Sequence, residues 1–167
     1  MWHARSVPSL ALPLAETWAG LAPCFSRLTT EHPLVLRAFV LMGNHFHGIL
    51  QASPHDLVLE PLLIHYLSPL LPMAPGECTC KKIATFRHYL ETYKYVYRNP
   101  VESGFCMRVE HYPYSSLQNF CRPKCAQAAD YFPIVDNLNL LQNPVHVIGW
   151  LNNLNSYFFQ TNGFSSA

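Results

Sequence analysis

His45 and His47, one residue apart in the run Asn44-His45-Phe46-His47, are the residues of this sequence best equipped for metal chemistry. On an extended strand alternate side chains leave the same face, so both imidazoles converge while Phe46 turns into the core. Neutral imidazole is a common ligand for divalent ions. A second set of polar groups lies on the run Thr85 to Arg98, which has helical periodicity. There Phe86, Tyr89, Leu90, Tyr93, Val96 and Tyr97 share one broad apolar face, and His88, Glu91, Thr92, Tyr95 and Asn99 the opposite one. Of the tyrosines at 93, 95 and 97, only Tyr95 escapes the core stripe, and Asn99 follows it by one turn. Such a set has a coherent chemistry. A histidine-bound ion polarises a phosphoryl oxygen while the tyrosine oxygen attacks phosphorus. The phosphotyrosine bond so formed keeps the energy of the broken phosphodiester, so the same site can rejoin strands. The side-chain oxygen of Asn99 is a third candidate ligand, leaving positions for substrate oxygen and water.

These groups need a sheet and a helix to hold them. Val35 to Met42 and His45 to Gln51 are β-rich runs, and Gly43-Asn44 between them reads as a two-residue hairpin turn visiting positive φ. Asn99-Pro100 is expected to end the helix, because a residue before proline is pushed out of the helical region. Residues 52–80, with five prolines, read as loops with one short helix around 61–67. The run Tyr112-Pro113-Tyr114-Ser115-Ser116 reads as an ordered surface turn. Residues 133–161 supply one or two closing helices, with Val145 to Phe159 the better candidate.

The 167 residues suit one domain, 1–167, in which 118–167 form a C-terminal helical extension. Half of the residues are hydrophobic and 13% are charged, which favours a packed chain over a disordered one. No apolar run is long enough to span a membrane, and residues 1–24 lack the basic start and cleavage site of a leader. The expected location is cytoplasmic. Six cysteines in a chain of this length read as free thiols; the pairs Cys78/Cys80 and Cys121/Cys125 lack the usual zinc spacing. A net charge of +1 carries no signal for a polyanionic partner, although Lys81-Lys82, Arg87-His88, Lys94, Arg98 and Arg122-Pro123-Lys124 form local basic clusters.

Three blocks, in order, carry a family resemblance. The run from Phe39 to Leu50, FVLMGNHFHGIL, resembles the His-hydrophobic-His (HUH) signature of the single-tyrosine transposases, particularly the REP-associated tyrosine transposases. Tyr93 to Gly104, YKYVYRNPVESG, resembles that family's nucleophile block, and Glu110 to Ser116, EHYPYSS, its third block. The resemblance covers roughly residues 35–117. It implies an α+β, ferredoxin-like antiparallel sheet with helices on one face, acting as a homodimer. It further implies His45, His47 and Asn99 as ligands of Mg²⁺ or Mn²⁺, Tyr95 as nucleophile, and single-stranded DNA with hairpin ends as the partner that is cut and rejoined. Arg87, Lys94 and Arg98 are then the expected phosphate contacts. Two bland readings stay open: Asn99 as an ordinary helix-terminal residue, and the whole chain as a DNA-binding protein that keeps the fold without the chemistry.

Overall fold

The computed structural model describes residues 1–6, 10, 12–52, 58–121, 132–135 and 144–153. Its strands are β1 (Trp2–Ser6), β2 (Leu34–Leu41), β3 (Phe46–Ala52) and β4 (Cys78–Lys82), and its helices α1 (Leu14–Glu31), α2 (Leu59–Leu67), α3 (Phe86–Glu102), α4 (Gln118–Cys121) and α5 (Pro144–Asn152). The strands form one antiparallel sheet in the order β2-β3-β1-β4. With α1 crossing between β1 and β2 and α2 between β3 and β4, this is the ferredoxin-like βαββαβ arrangement. α3 follows it.

Strand alternation divides the sheet into two faces. Ala4, Leu34, Leu36, Phe39, Leu41, Phe46, Leu50 and Cys78 pack with α1 and α2 in one core. Ala38, Val40 and Ile49 face the other way and lie under Tyr89, Tyr93, Val96 and Tyr97 of α3. The two crossover helices thus share one face as expected, and α3 covers the opposite one. A β-bulge at Arg37 sets this pattern, since the register slips between Leu36 and Ala38 and returns Phe39 and Leu41 to the α1 side. Phe39 then packs beside Gly48, where an added Cβ would approach its ring to 3.3 Å.

Four sequence expectations change. The hairpin loop runs from Met42 to His45, closed by the Met42 N–H donating to the His45 carbonyl at 2.7 Å, and Gly43 is not among the positive-φ glycines. α3 does not stop at Asn99 but runs through Pro100 to Glu102. It ends in a Schellman motif, with Gly104 at φ +76°, its N–H donating to Val101 O and that of Phe105 to Pro100 O. Pro100 is tolerated because its missing N–H costs one bond at Val96 while the following carbonyls are still used. The segment around Ser115 and Ser116 is no surface turn: both serines are buried and dock on β2. Ser116 Oγ accepts the Phe39 N–H at 2.8 Å and lies 3.0 Å from the Tyr97 hydroxyl. Finally, α1 and β4 fall in stretches where no element was expected. Of the expected helix Val145 to Phe159, Pro144–Asn152 is found, and residues from 154 onward lie outside the described residues.

Among the described residues no helix is long and apolar enough to cross a membrane. The described cysteines are free.

Candidate functional site

The site forms where β3, β1 and α3 meet. Phe46 is buried on the α1 side, which turns His45 and His47 toward α3. His45 sits on the loop, half-buried, and His47 is buried in β3. From α3, Asn99 reaches both rings: its Oδ1 lies 2.9 Å from Nε2 of His45 and its Nδ2 3.2 Å from Nε2 of His47. Asn99 is buried, because its position on the helix faces the sheet rather than solvent. One turn earlier Tyr95 lies at the rim, 47% exposed, with its ring 5.1 Å from that of His47 at 78°. Tyr93 and Tyr97 are sealed in the core.

A third histidine completes the group. His3 of β1 places Nε2 3.0 Å from Nδ1 of His47, stacks on that ring, and meets the edge of Tyr95 at 5.9 Å between centroids. An amide nitrogen only donates, so Nε2 of His47 accepts from Asn99, and the His47 proton sits on Nδ1, directed at His3. Burial, reinforced by the charges of His3, His45 and Arg5, lowers the His47 pKa to about 3. His3 is also lowered, by burial and then by Arg5, Lys81 and His88. His47 is therefore neutral at neutral pH, with its Nε2 lone pair turned to the Asn99 side. That is the form in which imidazole binds a metal, with its other nitrogen held by a hydrogen-bond partner.

Among the described residues no group of three or more His, Cys, Asp and Glu side chains is arranged to hold a metal ion. The set here is different in kind, two imidazoles and a carboxamide. One of its spacings matches that between ligands: neighbouring ligands at about 2.1 Å on an octahedral centre lie roughly 3 Å apart, and Asn99 Oδ1 stands 2.9 Å from His45 Nε2, whereas the 3.2 Å contact to His47 is made by the amide nitrogen, a donor and not a ligand. His45 stands between two amide oxygens, its Nδ1 2.7 Å from Asn44 Oδ1 and its Nε2 2.9 Å from Asn99 Oδ1.

The expected phosphate contacts divide. Arg87 is exposed and paired with Glu91 at 2.9 Å. Arg98 is not available: it is buried, holding Glu102 at 2.6 Å and the carbonyls of Leu151 and Asn152 at 3.1 Å. It fastens α5 to α3. Lys94 donates to the Asn153 carbonyl and lies over the Trp150 ring, so it too faces α5. In the sequence these two look like open helix positions because the residues that cover them are some fifty positions away.

Beside Tyr95 a cleft of about 430 Å³ opens between α3 and the outer strands, lined by His3, Arg5, Thr79, Lys81, Glu91, Thr92 and Tyr95. Antiparallel register explains this lining. Arg5 stands opposite both His47 and Thr79, and His3 opposite Lys81, so one polar stripe crosses β3, β1 and β4 on the α3 side.

No protein-family model matches the chain, and no curated protein does. Among solved structures, the fold is similar to that of a REP-associated tyrosine transposase bound to a REP hairpin. The TM-score is 0.59 over 83% of this chain and 88% of that one, at 16% sequence identity. At that identity the likeness is one of fold.

Proposed function

We propose that this chain cuts and rejoins single-stranded DNA through a covalent bond between Tyr95 and phosphorus, as a transposase of the single-tyrosine HUH type. The observation that carries the reading is the edge-on contact of an exposed tyrosine with a neutral histidine whose unprotonated nitrogen shares one carboxamide with a second histidine. The likeness of fold to a transposase bound to a DNA hairpin supports it.

The chain's own residues divide the work. Tyr95 is exposed and lines the cleft, whereas Tyr93 and Tyr97 of the same helix are buried in the core. The bond from the phenol oxygen to phosphorus forms as the bond from phosphorus to the outgoing sugar oxygen breaks. The phenol proton passes to solvent and the outgoing oxygen takes one up, so attack by a hydroxyl on the phosphotyrosine runs the same step backward. His45, His47 and Asn99 would hold Mg²⁺ or Mn²⁺, whose charge when bound polarises a non-bridging phosphoryl oxygen. His3 keeps the His47 ring oriented and its metal-facing nitrogen unprotonated. The partner on this reading is single-stranded DNA with hairpin ends, engaged by a homodimer of the chain. Incubation with Mn²⁺ and labelled hairpin-bearing single strands tests it, a denaturation-resistant adduct at Tyr95 being the expected product.

A further inference from the structure

We infer that Arg5 and Lys81 form a phosphate track, holding the nucleotides next to the bond that Tyr95 attacks, so that the strand lies across β1 and β4 toward the open edge of the sheet. The track rests on the proposed reaction and adds the path of its substrate.

Sheet register places the two cations. β1 and β4 pair so that Arg5 stands opposite Thr79, and Lys81 lies two residues further along β4 on the same face. Such diagonal neighbours are about 7–8 Å apart. Both side chains are exposed, and both line the cleft that Tyr95 also lines. The apolar half of this sheet face is closed by Tyr89, Tyr93, Val96 and Tyr97, which leaves the β1–β4 half as the floor of that cleft.

Charge distinguishes them from the paired arginines, and position at the cleft from the remaining cations. Among the described residues the ion pairs join Arg27, Arg87, Arg98 and Arg108 to carboxylates, and neither Arg5 nor Lys81 takes part in one. The single acid of the lining, Glu91, is held by Arg87. The cleft floor therefore carries two uncompensated cations beside the nucleophile, separated along the sheet rather than converging on one point. A compact anion would need both on the same spot, whereas a polymer with regularly repeated charges can engage each in turn. Arg98 and Lys94, the cations that the sequence offered for this task, are tied to the α5 side.

The test is the salt dependence of DNA binding, measured by fluorescence anisotropy in EDTA so that no cleavage occurs. The probes are a labelled hairpin-bearing strand and an unstructured oligodeoxythymidylate, titrated with the full chain between about 50 and 200 mM salt. Removal of one cation that neutralises a phosphate on a single strand should flatten the slope of log affinity against log salt by about 0.7. R5Q and K81Q should each do so on both probes, and the double variant by about 1.4. R27Q, on α1 across the sheet, should match wild type, and circular dichroism should show all variants folded. A neutral methylphosphonate placed at successive positions should weaken wild type most at one site where it no longer matters to R5Q. Unchanged slopes in the double variant, or an equal change in R27Q, overturn the track. Adduct formation by wild type with Mn²⁺ reports separately on the reaction: an adduct with unchanged slopes removes the track alone, and flattened slopes without an adduct keep the track while removing the chemistry.

Discussion

The carboxamide nitrogen of Asn99 stands 3.2 Å from Nε2 of His47, and both residues are buried. A hydrogen bond spanning 52 positions thus joins the helix carrying the tyrosine to the strand carrying the histidine. It gives Asn99 two separable roles, hydrogen-bond donor in the metal-free protein and oxygen ligand when an ion is bound. Asn99→Ala should lose both. Leaving Nε2 of His47 unpaired should cost about 1–3 kcal/mol in urea unfolding with EDTA, and Mn²⁺ binding by calorimetry should weaken sharply. Asn99→Asp should show the same loss of stability with EDTA but retain Mn²⁺. Wild-type Mn²⁺ affinity in Asn99→Ala would leave Asn99 a purely structural amide.

His3 acts through His47. His3→Ala should lower Mn²⁺ affinity by roughly 10–100-fold, the usual effect of removing the partner that orients a ligating histidine. His3→Gln, whose amide oxygen can accept the same Nδ1 proton, should recover part of it. Equal affinity in all three proteins would show that the ring stack alone positions His47.

Acid sensitivity follows from the neutral state of His47. Its pKa in the folded chain, about 3, lies below the ordinary value of 6.5, so the unfolded chain takes up the proton first. His47 therefore contributes full stability above pH 6.5, and that contribution falls as pH drops from there toward 3. Its slope is at most about 1.4 kcal/mol per pH unit. His3, shifted the same way, adds to it. Denaturant midpoints between pH 7 and 4 in EDTA should fall, and His47→Gln should flatten the decline.

Ser116 belongs to the support rather than to the chemistry. Ser116→Ala strands the Phe39 N–H in the core and takes one of two partners from the Tyr97 hydroxyl, which keeps Tyr93; this should cost about 1–3 kcal/mol in urea unfolding. Mn²⁺ affinity without denaturant should be unchanged.

The parts of the site legible in the sequence are those whose geometry is local. His45 and His47 share a side because strands alternate, and Tyr95 and Asn99 share one because helices repeat about every four residues. His3 was missed because it meets His47 only through β1–β3 pairing, 44 positions apart, and nothing near it in sequence marks a ligand partner. β4, Cys-Thr-Cys-Lys-Lys, hides as a strand because an edge strand open to solvent lacks a strong apolar alternation. α1 escaped the reading although its Trp18, Leu21, Ala22, Phe25 and Leu28 are buried against the sheet, with Pro13 preceding the helix and Pro23 accommodated within it. The helix end was misplaced for a similar reason: Pro100 looked like a stop, whereas Gly104 supplies the left-handed residue that ends α3.

The most direct measurement is a denaturing gel of the chain after incubation with Mn²⁺ and labelled hairpin-bearing single strands, run for wild type, Tyr95→Phe and Tyr93→Phe. Wild type should give a shifted, denaturation-resistant band whose tryptic peptide carries the nucleotide on Tyr95. Tyr95→Phe should give no band while binding the strand nearly as well, since the phenol is exposed and its loss leaves the core intact. Tyr93→Phe should still form the adduct. A band that persists in Tyr95→Phe, or a wild type that binds these strands and never forms one, would contradict the assignment of Tyr95 as nucleophile.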